Sequence, residues 1–385
     1  MNTDRQIVPH IAELMGGAPP PSLNTAPGSS IRVFGNLNIN YFTAEALQRT
    51  RWEIARSLLS GKFKRDFEQS AEYPNSAIQA KLTQRLAKLY GVEPAEIALT
   101  AGADEAIRAL SELFCGQGGR VLTHSPTYWS YTKFAKRFQG AALDVPLKDL
   151  GHDYELDVGG IIDAINVSQG DLKLVYLSNP NNPTGTYFDE NHIHDILKAS
   201  KAKNIPVVVD EAYIEIAGKP SILKDRPDYP NLIVLRTLSK AYGIAGERVG
   251  AIICQDPKVI KALSYVSPMF SVTSSALNNA LRVTEPSRQE AVQHSWDEVA
   301  RHREIIREAV NDTNAIFAYP SAANLILMRV ENASKALDAF VKRGILPANP
   351  ALFGFTDRIR MSLGRPKDTD YIAQALQEIA FEMAA

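Results

Sequence analysis

The run TLSKAYGIAGERVG (237–250) sets two cations, Lys240 and Arg248, among small and apolar residues. An ammonium at its ordinary pKa near ~10.4 is a poor nucleophile, and burial or neighbouring cations must lower that value before the amine attacks a carbonyl. Lys240 is placed for that effect, although a snorkelling side chain is the plain alternative. Thr237 and Ser239 flank it, and together with Arg248 they could hold a dianion, the guanidinium forking onto two phosphate oxygens while the hydroxyls fill the rest. TAGADEAI offers a second anion site. There Gly102, Ala103 and Asp104 open a helix whose free backbone N–H groups and positive dipole end suit a phosphate, or else form an ordinary turn capped by Asp104. Asp210 closes the run PVVVD, either as a cap or as a buried anion held against a cationic ring nitrogen. In LSNPNNPTG, turn chemistry explains much, yet the turn leaves the Asn182 amide with donor and acceptor free.

These residues need a scaffold, and the pattern around them supplies one. Short β-branched runs recur at 97–100, 120–124, 141–146, 173–178, 206–210, 232–236 and 249–254. Between them, ADEAIRALSELF and DENHIHDILKASKAK repeat apolar residues at helical spacing. Alternation of this kind predicts an α/β fold, a doubly wound sheet covered by helices on both faces, with ligands at the strand ends. Beyond about residue 260 the texture turns to long polar helices, then NLILMRV and RIRMSL, which read as a smaller α+β lobe. Residues 1–45 are expected to be an N-terminal arm and part of that lobe, 46–265 the large domain, and 266–385 the small one. The stretch GGAPPPSLNTAPGSS within the arm reads as loosely ordered.

Composition removes several function classes. Forty-two basic against 43 acidic side chains leave a formal net charge of -1, so no general field favours nucleic acid or an anionic membrane. Two cysteines, Cys115 and Cys254, argue against a disulfide framework and for a reducing compartment. No apolar stretch approaches the ~18 residues that cross a bilayer, and the first residues lack the pattern of a secretory leader. A cytoplasmic protein is expected. His192 and His194 are two apart, which sends them to different faces of a helix, so they are expected on an exposed helix side rather than on a metal.

An Asn-Pro-Thr-Gly turn, a strand ending in Asp210 with Tyr213 three residues on, then Ser239-Lys240 with Arg248 eight beyond, resembles the fold type I pyridoxal phosphate enzymes of aminotransferase class I and II. GADEAI, SPTYWSY, NPNNPTG, VVVDEAY and TLSKAYGIAGERVG are similar to the histidinol-phosphate aminotransferase branch in particular. The resemblance implies a three-layer α/β/α large domain with a mostly parallel seven-stranded sheet, a smaller α+β domain, and pyridoxal 5'-phosphate as cofactor. It implies a Schiff base on Lys240, which would also carry the proton between substrate and cofactor. Asp210 would pair with the pyridinium nitrogen. Asn182 and Tyr213 would hydrogen-bond the phenolic oxygen, and Tyr128 would stack on the ring. Gly102, Ala103, Asp104, Thr237, Ser239 and Arg248 would hold the phosphate, joined by Tyr73 reaching in from the neighbouring subunit of a homodimer. Arg360, with Arg358 as its rival, would bind the substrate, aided by Asn182 and Asn38.

Two positions depart from the branch. Tyr41 follows Asn40 where a proline is usual, and Glu247 precedes Arg248 where a leucine is usual; both bear on the substrate. Transamination of an amino acid or amino-alcohol phosphate is the first reading. Decarboxylation, elimination, cyclisation or oxidation could use the same residues, because the cleaved bond depends on a torsion. A ligand-sensing lobe of a transcription regulator would need a DNA-binding module before residue 30, where only about 30 residues stand.

Overall fold

The computed structural model describes residues 31–36, 38–49, 51–60, 71–116, 118–311, 313 and 315–384. The Pro-rich stretch expected to be loose lies outside them.

Seven strands form the main sheet: β1 (Ile97–Thr100), β2 (Arg120–Ser125), β3 (Ala141–Pro146), β4 (Leu172–Ser178), β5 (Val207–Asp210), β6 (Leu232–Thr237) and β7 (Gly250–Cys254). They lie side by side as β1-β7-β6-β5-β4-β2-β3. Only β7 runs against its neighbours; the remaining pairs are parallel. Strand alternation explains why helices cover both faces. On β5, Val207 and Val209 enter a core with Leu82, Ile193 and Leu197, whereas Val208 enters another with Ile107, Leu110 and Leu263. Each fully buried Val, Leu or Ile contributes roughly 1.5–3 kcal/mol, so neither face can be left wet.

A third core builds the smaller lobe. Strands β8 (Ile316–Ala318), β9 (Leu325–Val330) and β10 (Arg358–Ser362) make an antiparallel sheet packed by helices Ala333–Lys342 and Thr369–Ala384. Val33 and Phe42 join this core, and the two-residue strand Val33–Phe34 pairs with Ile345–Leu346. Helix α1 (Ser274–Val283) buries Ala276, Leu277, Ala280 and Val283 in the large core, although the sequence reading puts it in the small domain. Helix α2 (Gln289–Asn311) serves both, with Val292 in the large core and Val299, Ile306 and Val310 in the small one.

Register fixes what meets at the sheet's edge. Asp210 pairs with Ser178 on one side and Leu235 on the other, while Gly250 pairs with both Thr237 and Thr100. The ends of four parallel strands and the start of β7 therefore share one rim, where this architecture binds ligands. Gly250 must be glycine there, because a Cβ would lie 2.9 Å from the Gly102 carbonyl carbon.

Candidate active site

Lys240 lies on the one-turn helix Leu238–Ala241 that follows β6 directly. The Thr237 hydroxyl starts that turn, accepting from the Ser239 N–H at 3.2 Å. Lys240 is held at both ends by one segment of chain. Its ammonium donates to the Asn38 carbonyl at 2.9 Å, and its own carbonyl accepts from Asn40 Nδ2 at 2.9 Å. Burial pushes the amine down from its ordinary value to about 8, helped by the Arg360 and Arg248 guanidiniums and opposed by Asp104 and Asp210. The sequence expectation for this lysine and its environment thus finds a physical basis in burial first and cations second.

Asp210 ends β5 with its carboxyl buried. It accepts from the Tyr131 hydroxyl at 2.8 Å and from the Ala212 N–H at 3.1 Å. Burial raises its pKa to about 6 despite both bonds. Tyr131 was not foreseen, although its ring meets that of Tyr128 edge-on at 5.9 Å; it is fully buried and stacked on Tyr176. Tyr213 accepts from Asn38 Nδ2 at 2.9 Å, and burial lifts its phenol to about 12, so the hydroxyl keeps its proton for another acceptor. Asn182 is buried in the turn after β4, and its Oδ1 has no hydrogen-bond partner.

The anion cradle stands on the same rim. Gly102 precedes the helix Ala103–Cys115 at φ +82, a left-handed conformation that favours glycine, and a Cβ there would displace the movable Arg248 guanidinium, 2.6 Å away. Arg248 itself adopts φ 53, and its Nη1 lies 3.5 Å from Ser239 Oγ and 3.1 Å from the Ala245 carbonyl. Asp104 accepts from the Tyr128 hydroxyl at 2.7 Å and from Ser130 Oγ at 3.0 Å, and stands 3.8 Å from Arg248. Thr237 Oγ1 and Ser239 Oγ are 3.0 Å apart. Gly102, Asp104, Thr237, Ser239 and Arg248 thus lie close together.

The two rival arginines of β10 separate cleanly. Arg358 is bound to Asp149 and Asp357, away from the lysine. Arg360 is buried, donates to the Asn36 carbonyl at 2.6 Å, and lies close enough to shift both Lys240 and Tyr213. Burial lowers it to about 10, which leaves it charged at neutral pH. Tyr73 stands apart from all of these, 79% exposed and stacked on Phe270 with ring centres 4.7 Å apart. Glu247 accepts from Asn279 Nδ2 at 2.7 Å, and Tyr41 lies under Arg365. His194 departs from the exposed position expected of it: it is half-buried, 3.0 Å from Asp225 and stacked on Tyr229. Among the described residues no His, Cys, Asp and Glu cluster could hold a metal, and both cysteines are free and buried.

The rim fits pyridoxal phosphate: an amine for its aldehyde, a buried carboxylate for its ring nitrogen, a Tyr213 hydroxyl with its proton uncommitted for its phenolic oxygen, and an N–H-lined turn beside Arg248 for its phosphate. Residues 34–376 match the family "Aminotransferase class I and II". A histidinol-phosphate aminotransferase of Caldanaerobacter subterraneus is 35% identical over 80% of this chain and 84% of its own. One from Dehalococcoides mccartyi is 33% identical over 81% and 84%. The crystal structure of histidinol-phosphate aminotransferase from Sinorhizobium meliloti in complex with pyridoxal-5'-phosphate superposes with a TM-score of 0.77 at 23% identity, covering 99% of each chain. The chain belongs to the class I and II aminotransferases and is a pyridoxal phosphate-dependent transferase.

Proposed function

We propose that the chain transfers the amino group of a donor of the histidinol phosphate type, with Lys240 as the cofactor's covalent partner and the carrier of the proton. One observation carries this reading: a half-buried lysine, lowered to about 8, set among Arg360, Arg248, Asp210 and Asp104. Relatives above 30% identity bear that substrate's name. When bound, pyridoxal phosphate supplies the electron sink for charge that develops at the substrate Cα. The chain's residues do the rest. Asp210 would hold the ring nitrogen's proton, Tyr213 and Asn182 would donate to the phenolic oxygen, and Tyr128 would cover the ring. The N–H groups of Gly102, Ala103 and Asp104, with Thr237, Ser239 and Arg248, would hold the phosphate. Arg360 would take the substrate's anionic group, and Lys240, part neutral near pH 8, would remove the Cα proton and return it at the cofactor's C4' carbon.

The test is product analysis with the holoenzyme and a panel of amines, histidinol phosphate, arginine and hydroxyarginine among them. A keto product matched one-for-one by amination of the cofactor is expected with histidinol phosphate. Steady release of CO2 or of an elimination product, with the cofactor never aminated, would overturn transamination.

A second copy of the chain completes the site in this reading, and a C2 pair would share two sites. Tyr73 and Phe270 face solvent beside exposed Tyr265 and Met269, an apolar surface of the kind that marks contact with a partner. Sedimentation of the active enzyme should show the dimer; a fully active monomer removes Tyr73 from the site. We place the lobe boundary within α2, whose two ends serve different cores. A reducing compartment such as the cytoplasm suits the two buried free thiols.

A further inference from the structure

Asn324 stands immediately before β9 in the smaller lobe, 2% exposed, in a position that nothing in the sequence singled out. A buried amide must use its hydrogen-bonding groups or leave them unsatisfied, which an apolar residue of the same size would avoid. Asn324 leaves its Oδ1 without a partner and spends its Nδ2 on the Asn38 carbonyl, 3.4 Å away. Turning the amide over would set oxygen against oxygen, so the donor must face that carbonyl. The same carbonyl receives the Lys240 ammonium at 2.9 Å.

Asn38 is built for this meeting. It stands at φ 49, a left-handed conformation that asparagine tolerates better than most residues and that recurs at functional sites. Its carbonyl thereby takes two donors while its side-chain Nδ2 donates to Tyr213 at 2.9 Å. Because Tyr213 accepts from Asn38, its own proton is left to point elsewhere. One residue thus addresses both the lysine and the tyrosine, and Asn324 holds it from the smaller lobe.

We propose that Asn324 is a positioning residue: by fixing the Asn38 carbonyl it sets where the Lys240 amine rests whenever that amine is not covalently engaged, and which way Tyr213 gives its proton. The assignment rests on the role proposed above for Lys240. Among the described residues, the charged groups that act most on this amine are Arg360 from β10, Arg248 from the turn before β7, Asp104 from the helix Ala103–Cys115 and Asp210 from β5. Asn324 belongs to none of those elements and works through the carbonyl alone.

The cofactor-free protein supplies the test. Lys240 is titrated by the pH dependence of its acetylation with acetic anhydride, read by peptide mass spectrometry, in the natural chain and in Asn324→Leu and Asn324→Asp. Leucine keeps the volume and the dryness but releases the carbonyl, so the ammonium loses part of its acceptor and the midpoint falls by about half a unit or more. Aspartate adds a carboxylate near the ammonium and raises the midpoint by a unit or more. A role confined to packing would lower the melting temperature in both variants and leave both midpoints in place, and that result overturns the proposal. Loading each variant with cofactor gives the second reading. Asn324→Leu should lose about tenfold in kcat with KM within twofold, whereas a loss carried wholly by KM also overturns it. Failure of transamination in the natural chain would leave the titration result intact, so the two readings fall separately.

Discussion

Lys240→Ala is expected to lower kcat by at least ~10^4-fold, since it removes the nucleophile and the proton carrier in one step. Lys240→Arg should fare no better. A guanidinium stays protonated far above neutral pH and neither attacks a carbonyl nor takes up a proton. Cofactor binding should survive in reduced form, because Arg248, Ser239 and the turn at Gly102 are untouched.

The same substitution carries a stability signature of opposite sign. In the folded chain the Lys240 amine titrates near 8, against 10.5 when unfolded. Between those values the unfolded chain binds more protons, so the burden that Lys240 places on the fold is present in full below about pH 8. That burden fades as pH rises through 10.5. A lowering of about 2.5 units corresponds to about 3 kcal/mol, an upper bound for a partly accessible group. Cofactor-free Lys240→Ala should therefore be more stable than the natural chain near pH 7, with the difference closing toward pH 10. Keto-product assays and thermal melts at the two pH values check both halves. Retention of more than about a hundredth of kcat would end the assignment of Lys240.

Why some of this site was legible beforehand and some was not follows from how each residue earns its place. Lys240, Asp210, Gly102 and Arg248 sit within two residues of a strand end or a helix start, so period-2 runs and turn residues betray them. Strand bounds followed the β-branched runs to within one residue, because buried parallel strands are continuous apolar stretches. Lobe membership was harder. Helix α1 shows the same polar texture as α2, yet Ala276, Leu277 and Ala280 pack under the large sheet, a tertiary choice that spacing does not encode. Asn36, Asn324 and the part played by the Asn38 carbonyl depend on contacts between segments two hundred to more than three hundred residues apart, made at backbone carbonyls that any residue type possesses. Arg360 and Arg358 are alike by sequence, and distant partners tell them apart, Asp149 for Arg358 and the Asn36 carbonyl for Arg360.

Asp210 allows the sharpest separation of two roles, because asparagine caps a turn about as well as aspartate but carries no charge. If the carboxylate only capped the turn at Ala212, Asp210→Asn would leave the rate nearly unchanged. If it holds a proton on the cofactor ring, the substitution should cost ~10^2-fold to ~10^4-fold in kcat, the span that acid–base partners command. Its effect on the cofactor-free fold then runs the other way. Burial raises this carboxyl from 3.8 to about 6, so the folded chain binds more protons than the unfolded one between those values. The penalty is complete above about pH 6 and disappears below about pH 4. A shift of about two units is worth up to about 3 kcal/mol, which Asp210→Asn recovers at pH 8 if Tyr131 turns its hydroxyl to accept from the new amide. Melts at pH 8 and pH 4 beside a rate assay distinguish the roles: a variant both slower and more stable at pH 8 has lost a charge that the fold tolerates only for the reaction, and one that is more stable without being slower identifies a cap.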